Sequence, residues 1–515
     1  MMSCVFPRII FNDMADSSDR VLKQASSPTG RGVLYADCVY LAALIAIAAW
    51  LRFHALAAKS FWFDEGVSVE VARLDWYNFV RLLWRREANM SLYYLLLRGW
   101  LHFGGGEFFV RSLSVVPAVA TIPVVHRIGR LLYDRRVAWI AATLLTCNAY
   151  LVRYAQEARS YSLYTFLCAL SSMLFVANVL SPSERRRTWH IVISALAVYA
   201  HFYSGLILVA QWLSLQFLEP ARVPPHSNRQ WRWIGIAIFP ATLFAATTGV
   251  GPLNWIHRPG PKDLYEYYEH MAGNGGWVLL FLYGVSAAMA VQPVHKRMTA
   301  RNSPWDTWRV QFLVLWLLFP VTATVAVSML RPMFVSRYFV ACLPALVLLA
   351  AAGIARIRPV WMIVPAILLV AILSLRGTAS FYQRDFDLDR DDYRTASRYI
   401  FDHAQPGDVL IFHIAMGRMP YEFYRSLNTG RAAPDVVYPA RGNRLSYRDF
   451  LGKPSATFLQ SVPTQYSRVW VVLKDNGGPK GADPTTQTID QVFGHAYSHL
   501  DEENFTGVEV RLYSH

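Results

Sequence analysis

The sequence predicts a mainly α, polytopic membrane protein with about eleven transmembrane helices, outer-face juxtamembrane helices and a small C-terminal α/β domain outside the membrane. Three observations predict it. Hydrophobic residues make up 54% of the 515 positions and the mean hydropathy is +0.24, which is more apolar than a soluble domain. Apolar runs long enough to cross a bilayer recur along much of the chain. Beyond about residue 375 the composition turns polar and charged, with short strand-like runs. The formal net charge of +15 would suggest nucleic acid on a soluble protein. Here the basic residues collect in short loops between apolar runs, where they set orientation and meet anionic lipid, so no nucleic-acid partner is predicted.

Residues 1–33 lack an apolar core of signal-peptide length and read as a disordered cytoplasmic tail, which leaves the first run as an uncleaved anchor. The membrane domain is assigned to 34–375, with spans near 34–52, 112–129, 137–153, 161–180, 189–203, 205–219, 233–250, 276–293, 310–329, 338–356 and 359–375. The fifth and sixth could form one helix. They are divided at His201–Gly205 because the uninterrupted stretch exceeds the roughly 20 residues a span needs.

Loop charge orients the spans. One set of short loops carries Arg127, Arg130, Arg135, Arg136, Arg185 to Arg187, Arg222, Arg229, Arg232, Lys296, Arg297, Arg301, Arg309, Arg356 and Arg358. The opposite set carries only Arg153, Arg159, Arg258, Lys262, Arg331 and Arg337. The richer set is cytoplasmic by the positive-inside rule, so the N-terminus is inside and residues 376–515 form an extracytoplasmic domain. In the long outer loop 53–111, Trp76, Phe79, Val80, Leu83 and Trp84 recur at helical spacing, as suits a helix lying in the interface. Asn89–Phe103 is a second apolar-aromatic segment, too short to span.

The C-terminal domain shows the strand-like runs DVLIFHI, RVWVVLK and VEVRLYS, and DDYRTASRYIFDHA reads as a helix with Asp391 near its start. The acidic run DFDLDRDD lacks the glycine and glutamate of a calcium loop and reads as a solvated linker. The five cysteines form no CxxC pair, and neither disulfides nor a thiolate metal site is expected.

Two acidic sites stand where carboxylates are costly unless used. The first is Asp64-Glu65 in FWFDEGVS, at the mouth of the first span. The second is Glu157 in RYAQEARSYSL, between the third and fourth. The bland alternative is a loop carboxylate paired with a neighbour, and Glu157 stands within reach of Arg153 and Arg159. Aromatic residues surround both acids, among them Trp62, Tyr154 and Tyr161. Arg159 and Arg337 share the same outer boundary. Arginines grip phosphate and a carboxylate can activate a hydroxyl, so the set is suited to group transfer from a phosphorylated donor.

The stretches FWFDEGVS, NMSLYYLLLRGW, FFVRSLSVVPAVATIPVVHRIGRLLYD, YAQEARSYSLYTFLCALSS and SRYFVACLPALVLLAAAG, in this order over residues 35–375, resemble the GT-C glycosyltransferases of family 39. That group includes protein O-mannosyltransferases, lipid A aminoarabinose transferases and lipopolysaccharide galacturonosyl transferases. The resemblance implies an inverting enzyme of the bacterial inner membrane. It would take a sugar from a polyprenyl-phosphate donor to a hydroxyl of a lipid, glycan or protein at the outer face. It implies Asp64 as general base, Glu65 as a group orienting the acceptor or the base, and Glu157 as the second acidic position. Arg159 and Arg337 would hold the donor phosphate. Trp62, Lys59, Tyr154, Tyr161 and His201 are candidate substrate contacts. The resemblance makes no cofactor certain, and by family analogy a divalent ion could lie between Asp64 and Glu157. Many relatives carry a basic residue and two prolines before the Leu-Tyr-Tyr, where this chain reads Asn89-Met90-Ser91; Lys59 and Arg86 are the candidates to replace the missing charge. The C-terminal domain is expected to shape acceptor access, so that its removal would spare part of donor hydrolysis.

Two other classes share some of these features. A transporter places its ionisable residues near the bilayer midplane, whereas these gather at the outer boundary. A non-catalytic scaffold would not need Asp64, Glu65, Glu157 and Arg159 together.

Overall fold

The computed structural model of the chain describes residues 28–85, 87–247, 256–297, 304–384, 391–428, 430–440, 452–474 and 483–515. The first long helix, α1 (Pro28–Phe53), starts before the expected boundary, so residues 28–33 belong to it; the rest of the predicted tail lies outside the described residues. The segment between the first two long helices follows as α2 (Phe63–Arg73), α3 (Trp76–Arg85) and α4 (Ser91–Trp100). Then come α5 (Glu107–Leu132), α6 (Arg135–Cys147), α7 (Ala149–Ala155), α8 (Tyr161–Leu180), α9 (Glu184–Ala200), α10 (Ser204–Ser214) and α11 (Ser227–Thr247). The membrane region closes with α12 (Pro261–Ala272), α13 (Gly276–Arg297), α14 (Pro304–Ser328), α15 (Leu343–Ile354) and α16 (Ile363–Gln383).

Among the described residues, six helices are long and apolar enough to cross a membrane, or seven if the α12–α13 pair, bent by 80°, counts as one span. The chain is thus a multi-pass membrane protein. The other expected spans are shorter, broken or more polar helices. The predicted span 137–153 breaks at Asn148, whose side chain caps α7 by accepting from the Leu151 amide and donates to the Met271 and Ala272 carbonyls of α12. The fifth and sixth runs separate where α9 ends at Ala200 and α10 begins at Ser204. Backbones approach closely at Gly353 of α15, where a Cβ would stand 1.7 Å from the Ser286 carbonyl oxygen of α13.

Helix α3 divides its apolar residues. Phe79 is buried, while Trp76, Tyr77, Val80 and Trp84 form an exposed aromatic face suited to the interface.

The C-terminal region builds a five-stranded sheet in the order β2-β1-β3-β5-β4, from β1 (Val409–Phe412), β2 (Asp435–Tyr438), β3 (Arg468–Lys474), β4 (His499–Phe505) and β5 (Val508–Ser514). Strands β2, β1 and β3 are parallel; β5 and β4 add an antiparallel hairpin. The three strand-like runs of the sequence are β1, β3 and β5. The expected helix is α17 (Tyr393–His403), capped by the Asp392 carboxylate on the Thr395 amide rather than by Asp391, which pairs with Lys474. Residues 385–390 of the acidic run lie outside the described residues.

The C-terminal region packs against the segment that follows α1. Helix α18 (Arg418–Leu427) lies on α2 so closely that a Cβ at Gly66 would meet the Pro420 nitrogen at 2.7 Å. Phe61 stacks on Phe423 with centroids 4.2 Å apart. One buried cluster joins Phe61, Val69, Tyr94 and Leu97 of the segment after α1 to Phe401, Phe412, Met419 and Trp470 of the C-terminal region.

Candidate active site

Helix α2 starts directly after Trp62, whose extended backbone occupies its N-cap, and places Asp64 and Glu65 in the first turn. Carboxylates there face the positive end of the helix dipole. Successive side chains on a helix point about 100° apart, so the two acids must diverge.

Glu65 points inward and is fully buried. Arg111 of α5 holds it through Nε to Oε1 at 2.8 Å and Nη2 to Oε2 at 2.7 Å, and Oε1 also accepts the Ala158 amide at 2.8 Å. Arg111 spends its remaining donors on the Leu56, Lys59 and Ser60 carbonyls. Of the two roles expected for Glu65, orienting the acceptor or orienting the base, this burial favours the second, exerted through α2. Its carboxylate has no exposed surface, and both oxygens are engaged by protein donors. It fastens α2 to α5 and to the 156–160 loop.

Asp64 keeps part of its surface. Its Oδ2 lies 3.7 Å from Arg159 Nη2 and 3.8 Å from Arg337 Nη2. Both separations exceed a hydrogen bond, and Oδ2 accepts none. Arg159 also donates to the Asp64 carbonyl at 3.3 Å, and the Arg337 guanidinium stands 5.8 Å from the Trp62 ring centre.

The Gln156–Arg159 segment explains itself residue by residue. Gln156 donates to the Arg52 and His54 carbonyls and so ties the loop to the end of α1. Glu157 is buried, with Oε1 3.8 Å from Arg153 Nε, so its charge partner is Arg153 rather than Arg159. Ala158 bonds Glu65, and Arg159 faces Asp64.

An aromatic wall adjoins these arginines. Tyr161 lies 5.0 Å from Tyr154 and 6.2 Å from His201, centre to centre. His201 packs among Tyr164, Tyr203 and Tyr338, with its Nε2 buried and accepting or donating no hydrogen bond. Asp64, Arg159, Arg337, Trp62, Tyr154, Tyr161 and His201 thus form one connected group. Lys59 is outside it. Its amine bonds the Phe381 carbonyl and sits 3.5 Å over that ring, a poor position from which to replace the missing basic residue. Arg86 lies outside the described residues.

Sequence reasoning missed Glu87 and Arg111. Glu87 receives the Tyr94 hydroxyl at 3.3 Å and lies within the electrostatic reach of Arg159 and Asp64. Burial pushes its pKa up to about 7, against the opposing charge of Arg159 and the Tyr94 hydrogen bond. A charged residue inside an apolar run was the available signal for Arg111.

The residues do not fit a divalent ion between Asp64 and Glu157. Asp64 faces Arg159 and Arg337, Glu157 faces Arg153, and among the described residues no three His, Cys, Asp or Glu side chains gather as ligands.

Solved structures share this architecture. ArnT from Cupriavidus metallidurans in its apo state is 13% identical, with 93% of this chain and 98% of that chain covered and a TM-score of 0.61. The same protein bound to undecaprenyl phosphate is 13% identical, with 94% and 98% covered and a TM-score of 0.60. The Archaeoglobus fulgidus oligosaccharyltransferase in complex with zinc and sulfate is 10% identical, with 91% and 73% covered and a TM-score of 0.51. No protein-family model matches the chain, and no curated protein matches it by sequence. The chain has the fold of the GT-C membrane glycosyltransferases.

Proposed function

We propose that the protein is an inverting glycosyltransferase of the family 39 type, taking a sugar from a polyprenyl-phosphate donor to a hydroxyl acceptor at the outer face of the bacterial inner membrane. The observation that carries this reading is the Asp64 carboxylate set between Arg159 and Arg337 without a hydrogen bond to Oδ2. The fold shared with a protein solved with undecaprenyl phosphate supports the choice of donor. In the proposed step Asp64 takes the acceptor proton and the acceptor oxygen bonds the anomeric carbon from the face opposite the phosphate. The bond from that carbon to the phosphate oxygen breaks. Its electron pair leaves with the polyprenyl phosphate, whose charge Arg159 and Arg337 meet. Planar, permanently charged guanidinium groups suit that role. The aromatic wall offers Trp62, Tyr154, Tyr161 and His201 as sugar contacts. Glu157 acts by holding Arg153, and Glu65 by positioning α2.

Asp64→Asn keeps the shape but cannot accept the proton. Its turnover with polyprenyl-phosphate sugars should fall by roughly 10² to 10⁴, with donor binding little changed. Arg337→Ala should weaken donor binding. Normal turnover in Asp64→Asn would reject the assignment of the base, and vesicle uptake without covalent transfer would favour a transporter.

A further inference from the structure

The end of the bundle opposite the candidate site carries a groove that the proposed chemistry does not use. It is an open depression of about 450 Å³ between α9 and α11, and its walls include Arg187, Ile191 and Val192 of the first and Arg229, Trp233 and Ile236 of the second. Arg187 stands fourteen residues before His201, roughly 20 Å along the helix. A second trough of about 470 Å³, lined by Arg232, Ile236 and Phe239, meets the first at Ile236.

The spacing of the two helices is fixed from behind. His190 of α9 bonds Gln211 at 2.9 Å and receives a hydrogen bond from Gln230 of α11. Asn178 of α8 donates to Gln230, and Gln211 donates to Ser171 and Ser172. These side chains are buried, and a neutral His190 carrying its proton on Nε2 satisfies both of its bonds. Such a network holds α9 and α11 in place, so the groove is preformed.

The walls divide by chemistry. Arginines stand at the helix beginnings, and apolar side chains occupy the turns that follow. Trp233, half exposed at 50%, stands between them. Ile236 and Phe239 are also exposed, at 61% and 59%, so the troughs open to the surroundings of the bundle. Arg187 is partly covered and has a partner in Glu184, an exposed carboxylate that a phosphate can displace.

We infer that this groove binds a diacyl anionic phospholipid, with its phosphate between Arg187 and Arg229 and its acyl chains in the two troughs. Charge complementarity selects an anionic headgroup, as basic pockets between membrane helices do. Two troughs meeting beneath the arginines suit a two-chain lipid, whereas a polyprenyl phosphate brings one chain.

Native mass spectrometry of the full-length protein in detergent tests this with dioleoyl phosphatidylglycerol, dioleoyl phosphatidylcholine and undecaprenyl phosphate. Phosphatidylglycerol should be retained one to one in preference to phosphatidylcholine. Arg187→Gln/Arg229→Gln should weaken that retention roughly thirtyfold, the loss of two surface arginine contacts. Arg222→Gln, outside the groove, should leave it unchanged. Ile236→Trp fills the junction of the troughs with the arginines intact and should lower it too. Equal retention of phosphatidylcholine, or undiminished retention by the double variant or by Ile236→Trp, would overturn the inference. So would displacement by undecaprenyl phosphate, or a dimer mass that phosphatidylglycerol does not alter.

Discussion

The Tyr424 hydroxyl accepts the Phe61 amide at 2.7 Å, three residues before Asp64. The same hydroxyl bonds Ser60 Oγ at 3.1 Å and the Glu107 carboxylate, which Arg394 holds from the other side at 2.6 Å. Arg394 also donates to the Ala57 and Lys59 carbonyls. The C-terminal domain thus grips the strand of chain that leads into α2.

Tyr424→Phe leaves the Phe61 amide and Glu107 without that partner. Burial makes the loss cost roughly 1–3 kcal/mol, read as a lower unfolding temperature in detergent. Because α2 shares its core with this domain, donor hydrolysis and sugar transfer should fall together. Truncation after residue 384 should abolish both, against the sequence-based expectation that hydrolysis would partly survive.

Glu65→Gln should act on stability. It leaves Arg111 charged and buried beside a neutral amide, and breaking such a pair costs roughly 3–5 kcal/mol. Glu65→Gln/Arg111→Met should recover part of the loss in thermal unfolding. Asp64→Asn should leave stability nearly unchanged while removing turnover, and this contrast separates the two neighbouring acids.

Gly66→Ala should be disruptive out of proportion to one methyl group. The added Cβ meets backbone atoms of Pro420 and Met419 at 2.7 and 2.8 Å, which cannot rotate away. Overpacking of this kind costs roughly 1–3 kcal/mol, measurable by denaturant titration. A neutral result would mean that α18 lies farther from α2.

Glu87 should impose a pH dependence near its raised pKa of about 7. Below that pH it is neutral; above it, its charge would compete for Arg159 with the phosphate of the proposed donor. The donor KM should rise as pH rises through 7, and Glu87→Gln should flatten the profile. The stability sign follows from the same shift. The folded state holds a proton that the unfolded state releases near its ordinary value of 4.5. Stability from this group is therefore fully present below 4.5 and lost as pH rises through about 7.

Much of the architecture was legible because its signals are local. Apolar length marks the long helices, and apolar runs rich in β-branched residues mark β1, β3 and β5. Strand β4 escaped because its HLDEENF run has no buried face and pairs only with β5. β2 escaped as four residues at the other sheet edge. The sequence by itself determined that Asp64 and Glu65 diverge, since adjacent helical positions cannot share a face. Only the tertiary structure decided which acid goes where. The Arg111 guanidinium, brought from 46 positions away, draws Glu65 into the core, while Arg159 and Arg337 converge on Asp64 from two other segments. Ion-pair choice depends on distance in space, and no periodicity along a chain encodes it.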